Sequence, residues 1–306
     1  MKQYISIDLG GTIIKVGLVN SGRVIASTRV KAESANGLQQ RLPVIYEAVR
    51  ELTDDGKIAG ICMAFPGIVD FPNRRALSTN AKYDDAPQVD IEGWVSERWG
   101  VPFRIDNDAR MAMIGEWRYG AGRGTENMVM MTIGTGIGTG VVIDGRPLYG
   151  RNGCAGSLGG HLTIDYRGNQ CTCGNIGCIE TLGSSFFLPQ IIRENQRLSS
   201  EFRSKADGMD FKQLTDGFRD GNADCRIALE NCMDAWAAAI VNYIHAYDPE
   251  KVIIGGGIMR SADIIIPYLQ RKVASLAWMP GKKAEICPTA LGDDAALVAA
   301  EYYFER

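Results

Sequence analysis

Three apolar runs in this chain end in glycine-rich turns, and this feature limits the possible folds more than any other. The turns read IDLGGT (7–12), IGTGIGTG (133–140) and IIGGGI (253–258). Glycines at the end of a strand let backbone N–H groups approach an anion without obstruction from a Cβ atom. One such turn alone would more often be a tight hairpin. Three of them, spread over both halves of the chain, favour an α/β protein that binds phosphate groups.

The spacing of these glycines excludes two common nucleotide-binding classes. None of the turns matches the G-x-x-x-x-G-K-[ST] of a P-loop or the G-x-G-x-x-G of a dinucleotide-binding domain. Backbone N–H groups and threonine hydroxyls are the donors that remain. The candidate phosphate-binding residues of the first two turns are Gly10, Gly11, Thr12, Gly134, Thr135, Gly136 and Gly138, with the Thr139 hydroxyl as a further donor.

Two charged residues flank the glycines of the first turn. Asp8 precedes them, and a carboxylate beside a phosphate-binding turn suits a Mg²⁺ ligand, either directly or through water. Lys15 follows them in the next strand-like run. This lysine either offsets phosphate charge or occupies a solvent-facing position of a hairpin, and the sequence does not decide between these alternatives.

A second group of residues has the composition of a zinc site. His161, one of only two histidines, is followed by Cys171, Cys173 and Cys178. Zn²⁺ prefers four ligands in a tetrahedron and favours thiolate sulfur and imidazole nitrogen. Four protein ligands leave no open position, so the pattern predicts a structural rather than a catalytic site. The alternative is three buried thiols beside a surface histidine.

Length and charge indicate the number of domains and the class of partner. The chain has 306 residues, about twice the commonest domain size, so we expect two domains. A net charge of −3 gives no electrostatic footprint for nucleic acid. The N-terminal apolar run is too short for a secretory signal, and no run of about 18 apolar residues follows. We therefore expect a cytoplasmic protein, without a membrane partner, whose other cysteines are reduced.

Hydrophobic periodicity predicts alternating strands and helices. QYISIDLG, IIKVGLVN and RVIASTRV suggest an antiparallel meander, and IAGICMAFPG is apolar throughout, as a buried central strand is. Residues 37–53 have a helical pattern. The second half repeats the plan, with a strand-turn-strand, buried helices over 181–247 and a closing helix capped by Asp293 or Asp294. Two α/β halves of this kind imply a cleft between them.

The chain resembles the ROK family (repressors, open reading frames and kinases) of sugar kinases in DLGGTIIK, IGTGIGTG, IDNDARMAMIGE, IIGGGI and the combination of His161 with CTCGNIGCIE. The likeness spans most of the chain, and the cysteine signature is nearly diagnostic of the family. It implies an α/β protein with the two-domain actin-like, hexokinase-like (ribonuclease H-like) fold, in which ATP and sugar meet in an interdomain cleft. It also implies a homodimer.

On this resemblance we expect two domains of unequal size. A small N-terminal α/β domain would comprise residues 1–118 together with 291–306, which supply its closing helix. A large α/β domain would comprise residues 119–290 and carry the zinc loop.

The resemblance also implies roles in catalysis. The family's catalytic acid matches Asp108, which would accept the proton of a sugar hydroxyl as that hydroxyl attacks the γ-phosphorus of Mg-ATP. The first two turns would hold the phosphates, and Gly255, Gly256 and Gly257 would lie near the adenosine. Without the surrounding motif, Asp108 would more simply be a capping residue of the helix that starts there.

Four positions match sugar-binding residues of the family: Asn80, Asn107, His161 and Glu180. Polar side chains suit hydroxyl recognition, because a site group that finds no ring hydroxyl is left buried and unpaired. His161 would have two duties, with one ring nitrogen on zinc and the other toward the sugar, so that the metal braces a sugar-contacting loop. For Asn80 the alternative is a residue of an Asx-turn.

The chain also departs from the family pattern. Ser157, a further candidate sugar-binding residue, stands where the family usually has Glu, and Gly159-Gly160-His161 contains one glycine more than usual. In the family, this carboxylate normally binds hydroxyls near the anomeric end of the sugar. Its absence here makes a substituted or epimeric hexose an alternative substrate to glucose. Arg110 replaces the usual Asn after NDA, and it either pairs with a substrate anion or covers the helix surface.

The sequence thus predicts an ATP-dependent hexose kinase that acts on the 6-hydroxyl of glucose or of a related, substituted hexose. The alternative is a catalytically weak sugar-sensing or regulatory ROK protein. Repressors of the family carry an added N-terminal winged helix-turn-helix domain, whereas the first predicted strand here begins close to Met1. Because there is no basic patch either, we expect no binding of nucleic acid.

Overall fold

Two five-stranded sheets organise the residues that the computed structural model describes, which are 2–53, 57–79 and 82–305. Each of two units is built on one of these sheets. Unit 1 takes its described residues from Met1–Gly124, Pro147–Ser157 and Asp293–Arg306, and unit 2 takes them from Thr125–Arg146 and Leu158–Gly292. Pro147–Ser157 thus belongs to unit 1, whereas the predicted bounds put these residues in the second domain. Within the described residues, no helix is both long enough and apolar enough to cross a membrane.

Groups of strands and groups of helices follow one another along the described residues. The strands are β1 (Tyr4–Leu9), β2 (Ile13–Asn20), β3 (Arg23–Lys31), β4 (Ile61–Phe65), β5 (Gly67–Asp70), β6 (Arg75–Thr79), β7 (Phe103–Asn107), β8 (Met128–Ile133), β9 (Ile137–Ile143), β10 (Arg146–Pro147), β11 (Lys251–Gly255) and β12 (Glu285–Pro288). The α-helices are α1 (Leu42–Thr53), α2 (Ile91–Trp99), α3 (Asp108–Tyr119), α4 (Glu180–Gly183), α5 (Leu188–Glu194), α6 (Ser200–Ser204), α7 (Phe211–Arg219), α8 (Ala223–Tyr247), α9 (Ala262–Leu276) and α10 (Ala295–Val298).

Unit 1 is built on a mixed sheet with the strand order β3-β2-β1-β4-β7. The first three strands form the predicted antiparallel meander, while β4 lies parallel to both β1 and β7. Every residue of β4 is buried, as its unbroken apolar sequence predicts. Because β1, β4 and β7 are parallel, their carboxyl ends lie at one edge of the sheet, where open α/β sheets bind ligands.

Helix α1 shows how the sequence pattern and a tertiary contact together determine one element. Its buried face consists of Leu42, Ile45, Ala48 and Val49, which have the spacing of an amphipathic helix. The prediction began this helix at residue 37. In the structure, the Asp85 carboxylate accepts hydrogen bonds from the N–H groups of Leu38 and Gln39, at 2.5 and 2.9 Å. These bonds hold the preceding segment in turns, so the helix begins only at Leu42.

Unit 2 is built on a second mixed sheet, with the strand order β10-β9-β8-β11-β12. β8 and β9 form the predicted hairpin, whereas β11 is parallel to both β8 and β12. The long helix α8 is buried over much of its surface, which confirms the prediction for this segment. Trp236 at its centre is fully buried, and the indole N–H donates to the Gly183 carbonyl oxygen at 2.9 Å.

The closing helix is shorter than predicted. The α-helical part ends at Val298, and residues 299–303 continue as a tighter 3₁₀ helix, a common ending. Asp294 stands at the N-cap, as predicted, but within the described residues its side chain makes no capping hydrogen bond. The 3₁₀ segment buries Tyr303, whose hydroxyl donates a hydrogen bond to Asp106 Oδ2 at 2.8 Å. The C-terminal residues are thereby tied to the sheet of unit 1.

Candidate active site

The parallel strands of unit 1 bring two predicted functional groups to one edge of the sheet. In the register of the sheet, Asp8 of β1 is paired with Ala64 of β4, and Ala64 is paired with Asp106 of β7. The glycine turn at residues 10–12 follows the first of these strands, and Asp108 follows the last. The candidate phosphate turn and the candidate catalytic acid therefore share this edge.

Asp8 and Lys15 form a half-buried ion pair beside the first turn. They are paired across β1 and β2, and the lysine Nζ lies 3.5 Å from Asp8 Oδ2. The same Nζ donates a hydrogen bond to the Asp293 carbonyl oxygen at 3.1 Å. Burial raises the pKa of Asp8, and the positive charge of Lys15 opposes that rise. Lys15 is therefore not a solvent-facing hairpin residue, and its role toward phosphate stays a prediction.

Asp108 is the first residue of α3 and has a strongly shifted pKa. Burial raises the pKa of Asp108 to about 6, and the negative charge of Asp8 adds to the rise. The Ala109 N–H, which donates to Asp108 Oδ1 at 2.8 Å, and the charge of Lys82 limit the shift. A carboxylate whose pKa lies close to neutrality suits proton transfer, because it can accept a proton and release it again near working pH.

Helix α3 is capped by Asn107, not by Asp108. The Asn107 side-chain oxygen accepts a hydrogen bond from the Arg110 N–H at 3.1 Å, which is the ordinary N-cap contact. The amide of the same side chain donates to the Gly67 carbonyl oxygen and to Asp108 Oδ1, both at 3.1 Å. Asn107 thus does the capping and also orients the carboxylate beside it. Its predicted contact with sugar stays a prediction.

One cation at this edge was missed by sequence reasoning. The Lys82 side chain crosses the first turn so closely that a Cβ atom at Gly11 would lie 2.8 Å from its Cε and 3.3 Å from its Nζ. Its charge also lowers the pKa of Asp108. No local pattern marks this lysine, because only the fold brings its segment to the turn. Asn80, a predicted sugar-binding residue, lies outside the described residues.

Arg110 is buried, so both roles considered for it from the sequence are wrong. Its side chain is 1% exposed and pairs with Asp106 Oδ1 at 2.7 Å. The guanidinium also donates hydrogen bonds to the carbonyl oxygens of Gly153 and Ala155, at 2.7 and 2.9 Å. It therefore neither covers the surface of the helix nor presents a free charge to a substrate anion.

Ser157 ends the segment of unit 1 that Arg110 contacts. The serine is mostly buried, and its hydroxyl donates a hydrogen bond to the Cys154 carbonyl oxygen at 3.1 Å. A hydroxyl in this position is shorter than the family's usual Glu and carries no charge. Its predicted contact with sugar stays a prediction.

The second and third glycine-rich turns lie side by side at one edge of the unit 2 sheet. Thr132 of β8 is paired in register with Gly255 of the parallel strand β11, so the turns that follow the two strands are neighbours. Gly256 has a φ of +93°, and a Cβ atom there would collide with the Ile133 carbonyl oxygen. The edge thus carries the predicted nucleotide-binding residues Gly134, Thr135, Gly136, Gly138, Gly255, Gly256 and Gly257.

Thr139 contributes to the structure of the next loop, and its role as a phosphate donor stays a prediction. It is buried, and its hydroxyl oxygen accepts a hydrogen bond from the Gly159 N–H at 2.8 Å. A Cβ atom at Gly160 would collide with the Ile137 carbonyl oxygen. The two consecutive glycines therefore let the loop lie directly against β9, which gives the additional glycine before His161 a structural reason.

The four predicted zinc ligands come together in unit 2. The candidate ligand atoms of His161, Cys171, Cys173 and Cys178 all lie within 4.8 Å of one another. Cys173 Sγ is 3.7 Å from Cys178 Sγ, and Cys171 Sγ is 3.6 Å from His161 Nδ1. With Zn–S bonds of about 2.3 Å, two sulfur atoms of a tetrahedral site lie about 3.8 Å apart. The spacing of these side chains fits a zinc ion.

The protonation of these thiols depends on whether a cation is bound. Burial raises the pKa of both Cys171 and Cys178, so both would be neutral thiols in a metal-free protein at neutral pH. A coordinated thiol is deprotonated by its metal ion. The donor set is therefore one that Zn²⁺ would convert to thiolates.

Glu180 connects this cluster to the second glycine turn. Its Oε2 accepts a hydrogen bond from the Ile137 N–H at 2.9 Å, and its Oε1 lies 3.9 Å from Cys171 Sγ. The side chain is almost completely buried. The structure thus gives this predicted sugar-binding residue a role in holding the loop, and its contact with sugar stays a prediction.

These features define a class of protein. Unit 1 carries one glycine-rich turn and unit 2 carries two, each at the carboxyl end of a parallel strand, and unit 1 adds a carboxylate of raised pKa at the same edge. This is the layout of the actin-like, hexokinase-like kinases, as the sequence predicts.

Comparisons with known proteins specify the family. The family model described as "ROK family" matches residues 4–306, so the chain belongs to the ROK family, which confirms the prediction. A glucokinase from Thermotoga maritima is 32% identical over 306 aligned residues, which cover 97% of this chain and 96% of that protein. A xylose repressor from Caldicellulosiruptor bescii is 29% identical over 88% of this chain and 69% of the repressor.

A solved structure supports the fold class. A ROK family glucokinase from Streptomyces griseus, in complex with glucose and AMPPNP, matches this chain with a TM-score of 0.84. The two sequences are 25% identical, and the match covers 98% of each chain. The predicted hexokinase-like α/β fold is thereby confirmed.

Proposed function

We propose that this ATP-dependent sugar kinase of the ROK family transfers the γ-phosphoryl group of Mg-ATP to the 6-hydroxyl of a hexose, with Asp108 as the general base. The observation that carries the proposal is the position of Asp108. It begins α3 at the sheet edge that also carries the glycine turn at residues 10–12. Glucose is the first substrate to test, because the kinases named above are glucokinases.

The proton step follows from the pKa of Asp108. With a pKa of about 6, most of this carboxylate is ionised at neutral pH and can accept the hydroxyl proton. Once protonated, it loses the proton to solvent easily for the same reason. A group with an ordinary Asp pKa would be a weaker base, so the burial of Asp108 assists the reaction.

The charge that develops on the phosphoryl group needs cationic and N–H partners. Within unit 1, the backbone of residues 10–12 and the ammonium group of Lys82 supply them. Within unit 2, the turn at residues 134–138 is proposed to hold phosphates of the nucleotide. Mg²⁺ bound with ATP would neutralise phosphate charge, and Asp8 is the carboxylate proposed to hold it, directly or through water.

We also propose one structural Zn²⁺ per chain, held by His161, Cys171, Cys173 and Cys178. With Nδ1 on the metal side of the imidazole, Nε2 is the nitrogen that would contact the sugar. The metal would fix the loop that carries the histidine and, through Glu180, the second glycine turn.

A second candidate function is sugar sensing without effective catalysis. Ser157 in place of the family's usual Glu favours it, as does the likeness to a xylose repressor. The two functions differ in turnover, because a sensor binds sugar in the presence of ATP without releasing ADP.

The experiment is sugar-dependent release of ADP from Mg-ATP, measured across a panel of hexoses and of N-acylated or otherwise substituted hexoses. Turnover on one of these sugars supports the kinase and identifies its substrate. Sugar binding without turnover in folded, zinc-containing protein would support the sensor instead. We further expect a homodimer, so light scattering that gives the mass of one chain, 33.4 kDa, would contradict that expectation.

A further inference from the structure

A buried ion pair in unit 1 has no part in the chemistry described above. Asp106 is 0% exposed and Arg110 is 1% exposed, and their side chains meet at 2.7 Å. Asp106 has further hydrogen-bond partners within the same unit. Its Oδ2 accepts hydrogen bonds from the hydroxyls of Tyr149 and Tyr303, at 2.7 and 2.8 Å. Within the described residues, the Nε–H of Arg110 has no hydrogen-bond partner.

This pair binds a segment that has almost no regular structure of its own. The segment Pro147–Ser157 contains Gly150, Gly153 and Gly156, all with positive φ. Arg110 donates to the carbonyl oxygens of Gly153 and Ala155 (2.7 and 2.9 Å), and its guanidinium lies 4.5 Å from the centre of the Tyr149 ring. The segment is therefore fixed at three points by one side chain.

The geometry requires an arginine. A guanidinium is planar and rigid, and it can bond a carboxylate, two carbonyl oxygens and an aromatic face at once. An ammonium group could keep the charge opposite Asp106 but would not span the same set of partners. Stability alone does not explain the pair, because replacing a buried ion pair by apolar residues is often neutral or stabilising.

The position of the pair connects it to the site. Arg110 lies in the first turn of α3, two residues after Asp108, and the segment that it fixes ends at Ser157. We propose that Arg110 is a positioning residue that fixes Pro147–Ser157 for sugar binding, and so sets the affinity for the hexose. This inference rests on the proposed function.

The test compares Arg110→Lys, which retains the buried charge, with the double variant Asp106→Asn/Arg110→Met, which removes both charges. Arg74→Met is the matched control, because it breaks an ion pair of unit 1 with Glu92 (2.6 Å) at a more exposed position. Circular dichroism and thermal melting establish that each variant is folded.

The first readout is hydrogen–deuterium exchange of peptides that cover residues 147–157. We expect exchange to accelerate about tenfold in both Arg110 variants and to stay unchanged in the control, since local protection reflects local opening. Unchanged exchange in a folded Arg110 variant would overturn the inference. This readout needs no turnover, so it separates a failure of the inference from a failure of the proposed function.

The second readout is the affinity for the hexose, measured by calorimetry and as KM. We expect both Arg110 variants to lose about tenfold in hexose affinity, with KM for ATP and kcat changed by less than about threefold. Faster exchange with unchanged hexose affinity would show that the pair stabilises the segment without affecting sugar binding, which would also overturn the inference. A wild-type protein that binds no hexose would refute the proposed function, whatever the exchange data show.

Discussion

At the scale of single residues, the pKa of Asp108 governs the pH dependence. The base acts in its ionised form, and burial raises its pKa to about 6. Activity should therefore be lost as the pH falls through 6 and be fully present above it. We expect kcat/KM for the sugar to show an acid limb near pH 6, and a profile that stays flat through this pH would contradict the assignment.

Lys82→Met tests the electrostatic surroundings of this base. The lysine charge lowers the pKa of Asp108, so its removal should move the acid limb to higher pH. It should also lower kcat about tenfold or more, because a cation is lost beside the phosphate turn. Lys57→Met, at an exposed lysine of the same unit, is the control and should change neither quantity. A limb that does not move would refute this account of Lys82.

Sequence patterns predict some of these residues but not their surroundings. Asp8 and Asp108 follow from their positions at strand ends within a recognisable motif. Lys82 does not, because it reaches Gly11 only through the fold. Arg110 is misjudged for a related reason: its partners at residues 153 and 155 are remote in sequence, and periodicity says nothing about contacts of an irregular segment.

At the scale of elements, the zinc loop should depend on its metal. We expect metal analysis to find one zinc per chain, and Cys178→Ser to lose that zinc and lower the melting temperature. Structural zinc sites contribute on the order of 10 kcal/mol to folding in small domains. Cys287→Ser, at a half-buried cysteine outside the cluster, is the control and should retain its zinc. Wild-type protein purified without zinc, yet fully folded and unaffected by chelators, would contradict the site.

The close contact between the same loop and β9 gives a second prediction. Gly160→Ala places a methyl group against the Ile137 carbonyl oxygen, and such overpacking costs about 1–3 kcal/mol. Gly208→Ala is the matched control, since among the described residues a Cβ atom there meets nothing within 4 Å beyond its chain neighbours. Urea unfolding measures the free energy of unfolding of both variants. Equal stability of the two would show that the loop does not need this contact.

Elements were predictable where burial alone decides them. The uniformly apolar β4 and the long buried α8 follow directly from composition and periodicity. The start of α1 does not, because Asp85 holds the residues before it through bonds that no local pattern shows. The 3₁₀ ending of the chain has the same origin, in contacts such as the one from Tyr303 to Asp106.

At the scale of the whole molecule, the two α/β units and the ROK fold were predictable from the motifs. The assignment of every segment to its unit was not. The predicted bounds put residues 119–290 into one domain. The structure returns Pro147–Ser157 to unit 1, where the Asp106 and Arg110 pair holds it. This partition depends on side-chain contacts that are formed only in the folded chain.

The central claim is that Asp108 accepts the proton during phosphoryl transfer to a sugar. The most direct measurement compares wild-type protein with Asp108→Asn in sugar-dependent ADP release, with sugar affinity measured separately by calorimetry. We predict that kcat falls by a factor of about 10²–10⁴, the usual contribution of a general base, while the affinity for the sugar is nearly unchanged. An Asp108→Asn variant that binds the sugar and releases ADP at the wild-type rate would contradict the account.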